Sequence, residues 1–224
     1  MRTPALLTPT ATVRVLLPSG REVALPKTTP RFPKWQGEFP WSTYGGKPIL
    51  DFRGEPLYAE FVILRLLEAE GWSGVWVNSV HRRSFPRRWT PSPIMILPPS
   101  NLLDLLDRIY ARSGKRSGAF DVLAWADESV LFAEAKHGGK DALRPSQKAW
   151  IEAALDEGVS LESLLVVEWG FGAVEAVGDY PGAGVDHRYS VPGAGSGILS
   201  PQNAMSSTPP VNRTPVDAQP PGAA

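Results

Sequence analysis

Residues 120–136, FDVLAWADESVLFAEAK, constrain the fold more than any other stretch of this chain. Two apolar runs, Phe120 to Trp125 and Val130 to Lys136, flank the polar tetrad Ala126-Asp127-Glu128-Ser129. Runs of this length bounded by turn-forming residues read as strands, and so short a break joins them into an antiparallel hairpin. Side chains alternate along a strand, so Glu134 and Lys136 share one face with Val130 and Phe132. A carboxylate and an ammonium thus emerge together from an otherwise apolar strand. Asp121 opens the partner strand, and the register expected from this turn sets it opposite roughly Lys136 and diagonal to Glu134. A slip of one residue would send Asp121 to the other face.

The remaining pattern builds an α/β fold around that hairpin. Residues 13–25 read as a first hairpin around Pro18-Ser19-Gly20. Residues 26–54 are rich in Pro, Gly and aromatics; Phe32, Trp35, Phe39, Trp41 and Tyr44 are too many rings for a solvated linker, so the segment is expected to be irregular structure lying against the domain. A helix is predicted from about Pro56 to Glu70, with Pro in its first turn and Gly71 at its stop, and then a strand from Gly74 to Val80. The Pro- and Arg-rich stretch HRRSFPRRWTPSP follows, then an apolar run at Ile94–Leu97 and a helix capped by Ser100 or Asn101 through about Ala111. Beyond the central hairpin, a helix runs from Pro145 to about Asp156 before Gly158, and a strand spans Leu164 to Trp169. This order predicts a mixed central sheet flanked by helices. The domain reading is an N-terminal hairpin and extension at 1–54, a core at 55–170 with an insertion at 81–117, and a Pro/Gly/Ala-rich tail at 171–224. The tail carries PGAG at both 181–184 and 192–195, low complexity that predicts disorder.

Composition narrows the chemistry. At 224 residues the chain suits one core with extensions. No stretch reaches the roughly 18 to 20 apolar residues of a membrane span. The opening MRTPALLTPT has no long apolar export signal, so a cytoplasmic setting, in a bacterium or a phage-infected cell, is expected. With no cysteine, disulfides, thiolate zinc sites and a cysteine nucleophile are excluded, and any metal must sit on oxygen or imidazole ligands. Carboxylates favour hard ions, Mg2+ or Mn2+. Overall neutrality hides segregation of charge. Residues 1–50 hold seven basic and two acidic residues (+5), residues 81–118 eight and two (+6), and residues 119–168 four and ten (−6). Such a chain can attract a polyanion and still hold cations; solvated helix faces and loops would give the same sums.

Asp121, Glu134 and Lys136 fit the needs of phosphodiester cleavage: paired carboxylates to hold a divalent cation, and an ammonium to cover negative charge and orient water. The plain alternative is a surface ion pair between Glu134 and Lys136, with Asp121 as a strand cap. Two further residues bear on the choice. Glu60 precedes Ile63, Leu64 and Leu67 at helical spacing, which sets a carboxylate on a buried stripe and calls for a cation nearby, unless it merely edges the stripe in the first turn. Gln147 aligns with Trp150, Ile151 and Ala154, so its amide also points inward. His137 follows Lys136 but alternates away from its face, and neither His81 nor His187 belongs to an HNH or HExxH pattern. The eight tryptophans read as core rather than as stacking platforms.

Residues 118–159 resemble the VRR-NUC branch of the PD-(D/E)xK nuclease superfamily. The resemblance rests on Gly118 and Asp121, on Glu134-Ala135-Lys136, and on Arg144-Pro145-Ser146-Gln147 followed by Trp150 and Gly158. It extends more loosely over about 55–170, where the Glu60 helix matches the family's first core helix. It implies a restriction-endonuclease-like core, with Glu60, Asp121, Glu134 and the Ala135 carbonyl as ligands of Mg2+ or Mn2+. Lys136 would act on the water, and Asp121, Glu134, Lys136 and Gln147 would form the catalytic set. The implied activity is DNA phosphodiester hydrolysis, as an endonuclease of structure-selective or repair and recombination type, with RNA and a homodimer also compatible. Phe120 departs from the family's usual Pro, and the insertion at 81–117 departs in length. That insertion holds Arg82, Arg83, Arg87, Arg88, Arg108, Arg112, Lys115 and Arg116, which suit phosphate contacts, as do Arg144 and Lys148 on the next helix. Two other classes stay open at this point. One is a catalytically weak nuclease-fold module that binds nucleic acid in replication or phage assembly. The other is a structural α/β protein whose tail is a docking arm.

Overall fold

Alternation of apolar residues around Pro18-Ser19-Gly20 produces the first hairpin, β1 (Ala11–Leu16) with β2 (Glu22–Thr28), in which Val13 faces Leu25. The computed structural model describes residues 3–39, 46–77, 85–87, 94–115, 117–139 and 141–173. All of them lie in the first of two units, Met1–Ala183. The expected disorder beyond Ala173 and the aromatic residues Trp41 and Tyr44 lie outside the described residues. After β2 come β3 (Arg31–Phe32), β4 (Leu50–Phe52) and β5 (Glu55–Leu57). Next are α1 (Ala59–Ala69), β6 (Ser73–Trp76) and α2 (Ser100–Ser113). The chain continues with β7 (Val122–Ala126), β8 (Ser129–His137), α3 (Pro145–Asp156) and β9 (Leu164–Phe171).

The sheet is mixed, in the order β1-β2-β9-β8-β7-β6, with β3 also pairing along β9. β9 runs parallel to β2, β3 and β8, and the other pairs are antiparallel. The N-terminal hairpin therefore extends the central sheet. Two apolar layers cover its faces. On one side α1 is buried almost all round, its Phe61, Ile63, Leu64 and Leu67 held among Val122, Ala124, Ala133 and Leu165 of the sheet and Leu7, Phe32, Leu50 and Leu57 of the N-terminal segment. On the other side Leu106, Ile109 and Tyr110 of α2 and Trp150, Ile151 and Ala154 of α3 pack on Leu123, Phe132, Leu164 and Val166. Phe32 in the first cluster bears out the expectation that the aromatic extension lies against the domain, and Phe39 packs on the same cluster. No described helix is long and apolar enough to cross a membrane.

Three local readings are corrected. The first helix begins at Ala59 rather than Pro56, because Arg53 and Gly54 adopt positive φ (57° and 82°) and fold Glu55–Leu57 back onto Leu50–Phe52. Pro56 is thus a strand residue paired with Asp51. The tetrad 126–129 shrinks to a two-residue turn: Ala126 pairs with Ser129, and Asp127 takes φ 51°, which aspartate tolerates. The ladder then runs Trp125 to Val130 and Val122 to Ala133, so the next step sets Asp121 opposite Glu134, not opposite Lys136. The last correction brings the two carboxylates together.

Candidate active site

Asp121 lies one residue before β7, where the β7–β8 ladder gives way to side-chain contacts. Its N–H donates to Glu134 Oε2 (3.3 Å), and its own Oδ2 accepts the Ala135 N–H (3.2 Å). The Asp121 carbonyl accepts from Val77 N–H (2.7 Å) just past the end of β6. Asp121 is therefore fixed between two strands.

On β8, alternation sends Glu134 and Lys136 to the α3 face, as expected. Both are buried, and Lys136 Nζ stands 2.9 Å from Glu134 Oε1. Gln147, in the first turn of α3, joins them. Its Nε2 donates to Glu134 Oε1 (2.5 Å), while its Oε1 accepts from Lys136 Nζ (3.0 Å) and from the Arg144 N–H (3.0 Å). One amide thus satisfies a buried carboxylate, a buried ammonium and an orphan donor at a helix start. Gly118 makes this approach feasible. It holds φ +115°, and a β-carbon there would come within 2.6 Å of the Ser146 carbonyl carbon and collide with its oxygen. The segment before Asp121 can pack against the start of α3 only if position 118 has no side chain. Phe120 is fully buried and stacks on Trp150 of α3 at 5.4 Å between centroids, so it serves the same junction.

Glu60 enters from α1 on the opposite side of the sheet, buried as its position on the helix implied. It forms an ion pair with Lys47. Sequence reasoning missed Lys47, which belongs to no periodic element and gives no spacing signal. Its ammonium also lies over the Trp76 ring, 5.5 Å from the centroid.

Electrostatics tie these groups into one cluster. Loss of water, then Glu134, then Glu60 push the Asp121 carboxyl well above the usual carboxylate range, against Lys47 and the Ala135 N–H. Burial also raises Glu134, opposed by Lys136 and by the Gln147 hydrogen bond, with Glu60 adding to the rise. For Lys47, burial acts against the charged form, but Glu60, Asp121 and Glu134 outweigh it and raise its pKa.

A divalent cation would relieve the repulsion between Asp121 and Glu134, and an all-oxygen donor set suits a hard ion. Those two carboxylates and the neighbouring Ala135 are the residues that fit one. As arranged, no group of three or more His, Asp or Glu among the described residues converges to hold a metal, and Glu60 is paired with Lys47.

The basic residues divide. Arg144 is exposed at the start of α3, Lys148 is half-buried one turn on, and Lys115 lines a groove with Pro145 and Ala149 of that helix. Arg87 is engaged by Glu68 (2.5 Å), which also binds Arg65 (2.9 Å). Arg108 and Arg112 both grip Glu157 (3.0 and 2.5 Å). Arg82, Arg83, Arg88 and Arg116 lie outside the described residues. His137 stacks flat on Trp169, 4.3 Å between centroids, away from Lys136. Comparison with models of protein families, with curated proteins and with solved structures returns no match for this chain.

Proposed function

We propose that the chain is a metal-dependent nuclease with a restriction-endonuclease-like core, hydrolysing DNA phosphodiester bonds around Asp121, Glu134 and Lys136. The observation that carries this reading is the buried pair Glu134–Lys136, locked by Gln147 and facing a second carboxylate at a strand end. Burying charge on this scale without a ligand to serve is costly, and a surface ion pair would not need it. Mg2+ or Mn2+, held by Asp121 and Glu134 with the Ala135 carbonyl, would supply Lewis-acid charge to the phosphate and make water more acidic. Glu60 is the further carboxylate within electrostatic range.

The chain's own residues do the rest. Lys136 spends two of its three N–H donors on Glu134 and Gln147, and among the described residues the third has no partner. That donor is free to hold a water or a phosphate oxygen, at a position fixed by two bonds. Lys136 and Gln147 both engage Glu134 Oε1, so Oε2, which accepts only the long Asp121 N–H bond, keeps a lone pair for other work. In the reaction, water oxygen adds to phosphorus as one ester bond breaks, leaving a phosphate monoester and a hydroxyl. Arg144 and Lys148, on the helix that carries Gln147, are the described cations best sited to meet the backbone phosphates.

The test is cleavage of plasmid, single-stranded and branched DNA by the purified chain with Mn2+. Asp121→Ala and Lys136→Ala should each lower the rate by about a hundredfold or more. Cleavage unaffected by both substitutions would remove the assignment. Salt-sensitive binding with no metal-dependent cleavage would leave the nucleic-acid-binding module in its place.

A further inference from the structure

Lys47 comes from outside the sheet, in the segment before β4, yet its ammonium reaches the carboxylates that close the site. Glu60 is its direct partner, with a side chain only 7% exposed, whereas the Lys47 side chain is 35% exposed. The two ends of this pair are unequal in freedom. Glu60 is fixed on a helix buried nearly all round, while Lys47 sits on a four-carbon stem beside Gly46, where even an added β-carbon would meet nothing within 4 Å. Its charge acts on Asp121 and Glu134 as well as on Glu60. Three acidic groups thus lie within range of this one part-exposed lysine, beside the buried Lys136 that pairs with Glu134.

We infer that Lys47 is a built-in counter-ion of the carboxylate cluster, holding Glu60 and screening Asp121 and Glu134 until a divalent cation displaces it. The inference rests on the proposed metal-dependent reading of the site. Its physical basis is simple. A divalent cation and the Lys47 ammonium would repel each other across the carboxylates, and Lys47, 35% exposed, has the path to water that Lys136, 7% exposed and held by Glu134 and Gln147, lacks. Displacement frees Glu60 to turn toward the other two carboxylates, which explains why three acidic residues are gathered but do not converge. The metal must then compete with an internal ligand, so the chain binds it more weakly than the bare carboxylates would.

Titration of the metal-stripped chain with Mn2+ by calorimetry tests this. Lys47→Gln should bind Mn2+ about tenfold or more tightly than the wild type, because a competing charge is gone. Lys47→Arg, which keeps the charge, should stay near the wild-type affinity. A second measurement uses the unaltered chain, so it stands even if Lys47→Gln does not fold. Acylation of Lys47 by an amine reagent, followed by mass spectrometry against Lys148 as reference, should rise several-fold when Mn2+ is added. If the wild type binds Mn2+ but Lys47→Gln binds it no more tightly and the labelling of Lys47 is unchanged, the counter-ion role is overturned while the metal-dependent reading stands. Absence of Mn2+ binding in both wild type and Lys47→Gln overturns both.

Discussion

Helix α3 carries a charge cluster at each end, and the two are built differently. At its start, Gln147 holds Glu134 and Lys136, whose side chains are 2% and 7% exposed. At its end, Glu157 holds Arg108 and Arg112, whose side chains are 55% and 51% exposed. Ten residues separate Gln147 from Glu157, about 15 Å along the helix axis. The distal cluster offsets an acidic residue at the negative end of the helix dipole and pins α2 to α3; water can satisfy its members if the bonds break. The proximal cluster has no such recourse, because each buried member depends on the others. Depth of burial, rather than number of charges, separates the candidate site from an ordinary surface bridge.

Substitutions can break this comparison, and the largest effect belongs to the backbone junction. Gly118→Ala should destabilise the fold by about 3–5 kcal/mol, combining positive φ with a collision at Ser146. Gly139→Ala, at φ +72° but with nothing within 4 Å, is the control and should lose only about 1 kcal/mol. Equal losses in urea titrations would mean that strain alone, not contact with α3, sets the requirement at Gly118. Next, Lys136→Met leaves Glu134 buried without its cation and should lose about 3 kcal/mol near pH 8. The loss should shrink at lower pH as Glu134 takes up a proton. Arg112→Gln, at the exposed end, should leave the melting temperature within measurement scatter.

The pH response is the most diagnostic, since the two ends should respond with opposite sign. Asp121 has a raised pKa in the folded chain, so the folded state binds more protons than the unfolded one from the ordinary aspartate range upward. Metal-free stability should therefore fall as pH rises through that window, and Asp121→Asn should flatten the decline. Hydrogen bonds from Arg112 and then Arg108 lower the pKa of Glu157, so its contribution is present above the ordinary glutamate range and is lost as acid is added below it. Glu157→Gln should flatten only that acid limb. Urea melts from pH 3 to 9 in EDTA separate the two; a decline with rising pH that survives Asp121→Asn would show that another group carries it.

Much of the site was legible because it is local. Glu134 and Lys136 lie two residues apart on one strand, and Gln147 repeats with Trp150, Ile151 and Ala154 on the helix that follows, so periodicity alone aims all three inward. Burial of Glu60 followed from the same rule. The register of Asp121 was misjudged by two residues although the turn was correctly located: pairing Trp125 with Val130 across it already leads, four residues back, to Asp121 opposite Glu134. Other features were out of reach. The insertion's arginines looked equivalent in sequence, yet Arg87, Arg108 and Arg112 each have an acidic partner 19 to 49 residues away. Pairing of β2 and β3 with β9 joins segments more than a hundred residues apart.

By itself the sequence determined the helices and the central strands of this protein and which polar side chains must be buried, since these follow from short-range periodicity; β3, β4 and β5, in stretches read as irregular or helical, did not. Only the tertiary structure decided what those buried groups meet. Gly118 lets Gln147 reach Glu134 and Lys136, and Lys47 reaches Glu60 from beyond the sheet, because long-range contacts are fixed by packing and charge rather than by spacing along the chain.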